Sequence, residues 1–135
     1  MLELDELCPY VGQRRRKVWL WLALCRRTRQ VVAYALGCRG RRTARQLWRR
    51  IPPAYRTGRC YTDLWQAYRG QVPARQHLAC ELRGPTNRLE RFNATLRARL
   101  GRLVRKSLSF SRSLAMLDAC FKLFLHDYNA TCSPK

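Results

Sequence analysis

Acidic side chains are rare in this 135-residue chain, and three of the eight are placed where they could do chemistry. Asp5 lies in a short stretch that alternates apolar and acidic residues, Asp63 follows a short strand-like run, and Glu90 lies about one turn into a long helical segment. Carboxylate oxygens are hard ligands of the kind that Mg²⁺ prefers. Three carboxylates from separate elements would suit two metal ions that assist phosphodiester cleavage, one activating the attacking oxygen and the other stabilising the leaving oxygen.

Each of these acids also has a purely structural interpretation. Asp5 could be a surface acid of an edge strand, as could Glu3 and Glu6 beside it. Asp63 could cap a helix, because aspartate is a favoured N-cap residue. Glu90 could be an ordinary first-turn acid, favoured there by the helix dipole. From spacing alone, both interpretations stay open.

Arg97 follows Glu90 by seven residues, which is nearly two turns of an α-helix, so both side chains would share one face. One helix would then present a metal ligand and, two turns further on, a cation for a DNA phosphate. The alternative is that Arg97 is simply one of 24 arginines.

The formal net charge of +20 predicts a polyanionic partner. Clustered cations gain affinity for nucleic acids by releasing counterions from the phosphates. An anionic membrane surface is the main competing partner, but no apolar stretch approaches the ~20 residues needed to span a bilayer. The N-terminus also lacks the basic segment and apolar run of a secretory signal.

Seven cysteines are scattered along the chain, with no CxxC pair. Without an export signal, they are expected to be reduced thiols that pack as small hydrophobic residues. His77 and Cys80 form an isolated HxxC, which indicates zinc only weakly because a structural zinc site requires four ligands.

The elements that must position the acids follow from residue patterning. The first three are strands at 2–7, 18–25 and 30–36, joined by basic turns in an antiparallel meander. The remaining elements alternate helices with short strands: a helix at 43–50 capped by Thr43, a strand at 59–62, a short helix at 64–68, a strand at 76–82, a long helix from Thr86 to about 104, and a last helix beginning at Ser111 with an apolar stripe at Leu114, Leu117, Phe121, Phe124 and Tyr128.

This order predicts an α/β fold of the ribonuclease-H-like type. Its mixed five-stranded sheet would begin with three antiparallel strands and would carry helices on both faces. The chain has no internal repeat, low-complexity tract or linker. We therefore expect one domain spanning residues 1–135.

The segments around the three acids resemble the transposases of the insertion-sequence-one family. The stretch LELDEL at 2–7, followed by YVG at 10–12, resembles the family's opening catalytic strand. YTDLWQAY at 61–68 resembles the strand that bears the second aspartate. The most specific block is LERFNATLR at 89–97, which runs into RKSLSFS at 105–111. The resemblance extends in the right order from position 2 to about position 129.

This resemblance implies a DDE transposase, with Asp5, Asp63 and Glu90 as its catalytic acids and metal ligands. Asp5 would bridge two Mg²⁺ ions, which Mn²⁺ can replace, and Asp63 and Glu90 would each hold one. The reaction implied is hydrolysis of a phosphodiester at the transposon end, followed by attack of the freed 3′-hydroxyl on target DNA. No small-molecule cofactor is expected.

The resemblance also implies double-stranded DNA as the partner, both as transposon ends and as target. A homo-oligomer in a synaptic complex and a cytoplasmic, nucleoid-associated location in a bacterium are further expectations of the family. Basic residues on or just beyond the long helix would contact phosphates and carry little base information, unless they form only a solvated face: Arg91, Arg97, Arg99, Arg102, Arg105 and Lys106.

Two departures from the family pattern matter. Cys8 stands where relatives often carry tryptophan. Full-length members carry a zinc-finger and helix-turn-helix portion before the catalytic domain, and we expect that portion to be absent here. The alternative functions are therefore a catalytically inactive DNA-binding remnant or a regulator of a full-length transposase. A ribonuclease acting on RNA–DNA hybrids is a third possibility on the same fold.

Overall fold

The computed structural model describes residues 1–9, 17–80, 87–100 and 113–132. Five strands form one mixed sheet in the order β3-β2-β1-β4-β5. The strands are β1 Leu2–Leu7, β2 Trp19–Cys25, β3 Val31–Gly37, β4 Cys60–Thr62 and β5 His77–Ala79. The helices are α1 Arg41–Arg50, α2 Asn87–Arg99 and α3 Leu114–Thr131, with 3₁₀ turns at Pro53–Tyr55 and Gln66–Tyr68.

The first three strands form the predicted antiparallel meander. β2 pairs with β1 from Leu2↔Cys25 to Leu7↔Leu20, and with β3 on its other edge. The sequence of β2, WLWLALC, is apolar throughout, as expected for a strand that is covered on both faces. Every residue of β2 after Trp19 is buried.

β4 returns parallel to β1, and β5 lies parallel to β4. A parallel return requires a crossover, and α1 lies within the one that joins β3 to β4. The β1–β4 register pairs Leu2 with Cys60 and Glu3 with Tyr61. Two residues further along this register, Asp63 comes level with Asp5. The topology therefore brings Asp5, near the end of β1, and Asp63, just after β4, to the same end of these two neighbouring strands.

The sheet has a hydrophobic core on each face. One core joins Leu2 and Leu4 of β1 to Leu47 and Ile51 at α1, and it includes Tyr68, whose ring packs edge-on against Trp21 at 5.2 Å. The other core contains residues of α2 and α3, namely Leu89, Phe92, Leu96, Leu117, Phe121 and Leu125. Helices on both faces of a mixed five-stranded sheet confirm the predicted fold class, and the arrangement is compatible with a ribonuclease-H-like fold.

Several local predictions need adjustment. α1 begins at Arg41 after an N-cap at Gly40, so Thr43 does not cap it; its side chain is buried instead. A Cβ at Gly37 would lie 2.6 Å from Thr43 Oγ1, so this packing requires glycine there. α3 begins after Ser113, whose Oγ accepts a hydrogen bond from Met116 N at 3.2 Å.

Other predictions lie outside the described residues, namely most of the basic turn between the first two strands, the Thr86 cap, the end of the long helix to 104 and the start of the last helix at Ser111. Within the residues that are described, no helix is long and apolar enough to cross a membrane.

Candidate metal centre

β1 carries three acids, and none of them is a surface residue of an edge strand. β1 is the central strand of the sheet, with Glu3 and Glu6 buried and Asp5 half-buried. Because side chains alternate along a strand, Glu3 and Asp5 face α2. The side chain of Glu6 leaves the backbone on the opposite face, the one that packs against α1. The surface interpretation of Glu3 and Glu6 is therefore wrong.

Asp5, Glu6 and Asp63 form an acidic cluster, the one that the described residues contain. Each offers a carboxylate oxygen, and the three oxygens lie within 4.8 Å of one another. The parallel pairing of β1 and β4 explains how residues 58 positions apart, Asp5 and Asp63, come together. A set of carboxylate oxygens at this spacing suits a hard divalent cation.

The electrostatics of the cluster favour a bound cation. Burial above all, together with the neighbouring charges of Glu6 and Asp63, raises the pKa of Asp5 to about 7. Burial, followed by the charge of Asp63, also raises the pKa of Glu6. The cluster therefore resists carrying its full negative charge unless a positive charge compensates it.

Asn93 of α2 contacts the cluster from the helix side. Its Nδ2 donates to Asp5 Oδ2 at 2.8 Å. Its Oδ1 is buried and has no hydrogen-bond partner in the described part of the chain. A buried acceptor without a donor is unusual in a folded protein. The fit to a divalent metal rests on the carboxylate set itself, in which three oxygens lie within 4.8 Å of one another and Asn93 orients one of the acids.

The segment after β4 fixes Asp63. Asp63 Oδ1 accepts a hydrogen bond from Trp65 N at 3.0 Å, which closes a tight turn. The 3₁₀ turn Gln66–Tyr68 begins after Trp65 and has no side-chain cap, so the interpretation of Asp63 as a helix N-cap is wrong. Buried Thr62 donates its Oγ1 hydrogen to the carbonyl oxygen of Asp63 at 2.7 Å. The carboxylate oxygen Oδ1 of Asp63 is thus bonded within its own turn, while Oδ2 accepts no such hydrogen bond from the described residues.

His77 supports this turn from β5. Its Nε2 lies 2.7 Å from Thr62 Oγ1. Burial lowers the pKa of His77, and the charge of Arg69 lowers it further. Because the hydroxyl hydrogen of Thr62 is donated to the carbonyl oxygen of Asp63, Nε2 of the neutral ring carries the proton and donates to Thr62 Oγ1. His77 therefore acts through Thr62 on the backbone of Asp63, and it is not among the three residues of the cluster.

Glu90 lies outside the acidic cluster. It is exposed on α2, one turn before Asn93. α2 contacts β1 on either side of it, through the bond from Leu89 N to Glu3 Oε2 at 2.8 Å and through the bond from Asn93 to Asp5. The structure therefore brings the predicted Asp5 and Asp63 together and adds Glu6, which was not predicted. Glu90 lies on the helix that contacts Asp5, but its carboxylate is not part of the cluster.

The predicted DNA-contacting residues divide into two groups. Arg91, Arg97 and Arg99 are exposed on α2. Arg102, Arg105 and Lys106 lie outside the described residues.

The sequence did not single out Glu6, although both of its carboxylate oxygens are engaged. Oε2 accepts a hydrogen bond from the buried hydroxyl of Tyr68 at 2.8 Å. Oε1 lies 3.0 Å from Nε and 2.9 Å from Nη2 of Arg39. The available signal was the pattern LELDEL, in which Glu6 occupies a position of the same parity as Leu2 and Leu4.

This α/β arrangement, with carboxylates converging beside a central strand, is compatible with the ribonuclease-H-like class of domain. The family model described as IS1 transposase matches residues 1–129, and the chain belongs to that family.

Curated relatives agree with this assignment. The chain is 37% identical over 126 residues to the insertion element iso-IS1n protein InsB of Shigella dysenteriae, covering 93% of this chain and 94% of the relative. It is 36% identical over 124 residues to the insertion element IS1 protein InsB of Shigella flexneri, covering 92% of each. The InsB protein of insertion element IS1 4 from Escherichia coli K12 is also 36% identical over 124 residues, which is 72% of its length. These relatives support a role in transposition.

Proposed function

We propose that this chain is a single DDE transposase catalytic domain that hydrolyses a phosphodiester bond at each transposon end with water, and then directs the freed 3′-hydroxyl to attack a phosphodiester of target DNA and displace a target 3′-hydroxyl. The observation that carries the proposal is the convergence of Asp5 and Asp63, with Glu6, within 4.8 Å. Membership of the IS1 transposase family supplies the substrate class.

Asp5 and Asp63 would hold Mg²⁺ or Mn²⁺, with Glu90 as the third acid. When bound, a pair of such ions supplies Lewis-acid chemistry at the attacking and leaving oxygens. Asn93 orients Asp5 through its amide, and Trp65 N orients Asp63. Glu90 is proposed on its match to the family motif and on its place in the helix that contacts Asp5.

DNA is the proposed partner, bound largely through its phosphates. Arg91, Arg97 and Arg99 are exposed on the helix that borders the centre. A cavity of about 250 Å³ beside this helix is lined by Arg29, Arg88 and Arg91, together with Phe92 and Tyr128 and no acidic residue. Such a surface attracts phosphate without selecting a base sequence. Work on two DNA ends further implies a homo-oligomer as the active form.

The test is metal-dependent cleavage of a labelled DNA duplex that carries a transposon end, measured with Mn²⁺. Asp63→Asn keeps the shape of the side chain but removes its charge, and we expect a loss of at least about 100-fold, comparable with the loss of a strong electrostatic contribution to catalysis. The matched control is Asp127→Asn on α3, because Asp127 is an exposed aspartate whose side chain is 88% accessible. The proposal fails if Asp63→Asn cleaves as fast as the control.

A catalytically inactive DNA-binding regulator is the second candidate. The observation in its favour is that Glu90 is exposed and stands apart from the cluster. This candidate predicts that the chain binds transposon ends and that Asp63→Asn changes neither binding nor any cleavage. It also predicts inhibition of a full-length transposase when the two are mixed.

A further inference from the structure

Arg39 lies between β3 and α1 and joins three other parts of the chain. Its guanidinium carbon lies 4.5 Å from the ring centroid of Trp19 at the start of β2. It lies 4.3 Å from the ring centroid of Trp65, in the segment after β4. Its Nε and Nη2 converge on Oε1 of Glu6 in β1. A planar guanidinium can stack on aromatic rings and donate hydrogen bonds at its edge simultaneously.

These contacts reach Asp63 through its own turn. Trp65, which packs on Arg39, donates its backbone N–H to Asp63 Oδ1. Tyr68, three residues further on, donates its hydroxyl to the other oxygen of Glu6. The segment from Asp63 to Tyr68 is therefore fastened to Glu6 at two points, once through Arg39 and Trp65 and once directly through Tyr68.

These contacts to Glu6 oppose the electrostatic repulsion within the acidic cluster. Three carboxylates within 4.8 Å repel one another, and the repulsion acts to push Asp63 away from β1. The positively charged guanidinium of Arg39 lies against the carboxylate of Glu6, whose side chain is only 1% exposed. With Glu6 compensated by Arg39, Asp5 and Asp63 remain as the pair whose charge a metal would balance.

We propose that Arg39, together with Glu6 and Trp65, is a positioning device that holds Asp63 at metal-binding distance from Asp5. Arg39 and Glu6 are positioning residues in this inference, and neither is a metal ligand. The inference rests on the proposed function, because it concerns the assembly of the same metal site.

Two other roles for these residues lead to different results. If Glu6 were a metal ligand, removing Arg39 would free Oε1 and strengthen metal binding. If Arg39 instead held a DNA phosphate, its removal would weaken DNA binding and leave metal binding unchanged. The positioning role predicts weaker metal binding in the absence of DNA.

The experiment measures Mn²⁺ binding to the full chain without DNA, by the electron paramagnetic resonance signal of free Mn²⁺. We expect Arg39→Met and Trp65→Ala each to weaken Mn²⁺ binding by about tenfold, as found when groups that orient metal ligands are removed. Trp65→Phe keeps an aromatic face and should bind within about twofold of wild type. The matched control is Arg49→Met, which removes one exposed arginine from the last turn of α1.

Arg39→Lys keeps the charge but cannot bring two nitrogens to Oε1 while stacking on two rings, so its affinity should lie between those of wild type and Arg39→Met. Thermal unfolding shows whether each variant folds. If Arg39→Met does not fold, Trp65→Ala decides, since Trp65 is 36% exposed and its truncation opens no closed cavity.

Unchanged or tighter Mn²⁺ binding in folded Arg39→Met and Trp65→Ala would overturn the positioning role. Failure of the proposed function has a different signature, in which wild type shows no Mn²⁺ binding that depends on Asp5 and Asp63. Equal weakening by Trp65→Phe and Trp65→Ala would also overturn the inference, because it would assign the effect to indole-specific packing and not to the stacked arginine.

Discussion

Asp5 illustrates the conflict between stability and function at the level of one residue. Its pKa in the folded protein is about 7, against an ordinary value of 3.8, chiefly because of burial. An acid whose pKa is raised by folding leaves stability intact below its unfolded value, and stability is lost as the pH rises through the folded value. The metal-free protein should therefore lose stability between about pH 4 and pH 7 on account of Asp5.

Asp5→Asn should consequently stabilise the metal-free protein at pH 8 and have little effect at pH 4. The amide can still accept the hydrogen bond from Asn93 but carries no charge to desolvate. We expect a gain at pH 8 of about 2 kcal/mol, less than the full pKa shift implies because water reaches this half-buried group. Urea denaturation in the presence of a chelator measures it, with Asp127→Asn as the control. An equal effect at both pH values would contradict the assignment.

At the level of elements, Glu3 determines how α2 lies on the sheet. Leu89 is in the first turn of α2, where backbone N–H groups lack partners within the helix. Buried Glu3 supplies the acceptor from β1, with Oε2 at 2.8 Å from Leu89 N. Arg26 Nε lies 2.9 Å from Oε1 as an ion pair, although its N–H does not point at that oxygen. Glu3 thus caps a helix that is 86 residues distant in sequence.

Glu3→Ala should destabilise the protein by about 2 kcal/mol, because it leaves a buried N–H of α2 and the Arg26 charge without their partner. Glu3→Gln retains an acceptor and should cost less. The control is Glu90→Ala on the same helix, where the exposed side chain should contribute less than about 0.5 kcal/mol. Urea denaturation at neutral pH compares the three variants. A cost for Glu3→Ala no larger than that for Glu90→Ala would show that Glu3 does not cap α2.

The elements themselves were largely predictable from local patterns, because the apolar run of β2 and the alternation in β1 are written in adjacent residues. The position of β1 at the centre of the sheet depends on its parallel pairing with β4, which local patterns do not encode. The burial of Glu3 and Glu6 was missed for the same reason. Their partners Leu89 and Arg39 lie 86 and 33 residues away, so only the fold brings them together.

At the scale of the whole molecule, several of the arginines are clustered beside α2. Arg88 and Arg91 line the 250 Å³ cavity with Arg29, and Arg88 also lines a second cavity of about 650 Å³ with Arg26 and Arg27. The turn between β2 and β3 and the start of α2 therefore present one basic surface. The 250 Å³ part of this surface lies on the face of the sheet that carries α2, because Leu24 and Phe92 of the core on that face line it.

Replacing Arg88 and Arg91 together by alanine should weaken binding to duplex DNA and lower its dependence on salt. Each lost phosphate contact reduces the slope of log affinity against log salt by about 0.9, so the double variant should lose up to about 1.8. Fluorescence anisotropy across a range of NaCl concentrations measures the slope. The double variant Arg41→Ala and Arg49→Ala removes the same charge from exposed positions of α1 on the other face. Equal slopes for the two double variants would exclude a preferred DNA-binding face.

The pairing of β1 has a consequence for any motion that accompanies the reaction. β1 is bonded to β2 along its full length and to β4 over its first residues, so Asp5 cannot shift without deforming the sheet. Asp63 and Glu90 belong instead to a turn and a docked helix, which can be displaced at lower cost. In the proposed metal site, Asp5 would therefore be the fixed residue, and any rearrangement on DNA binding would involve Asp63 and Glu90.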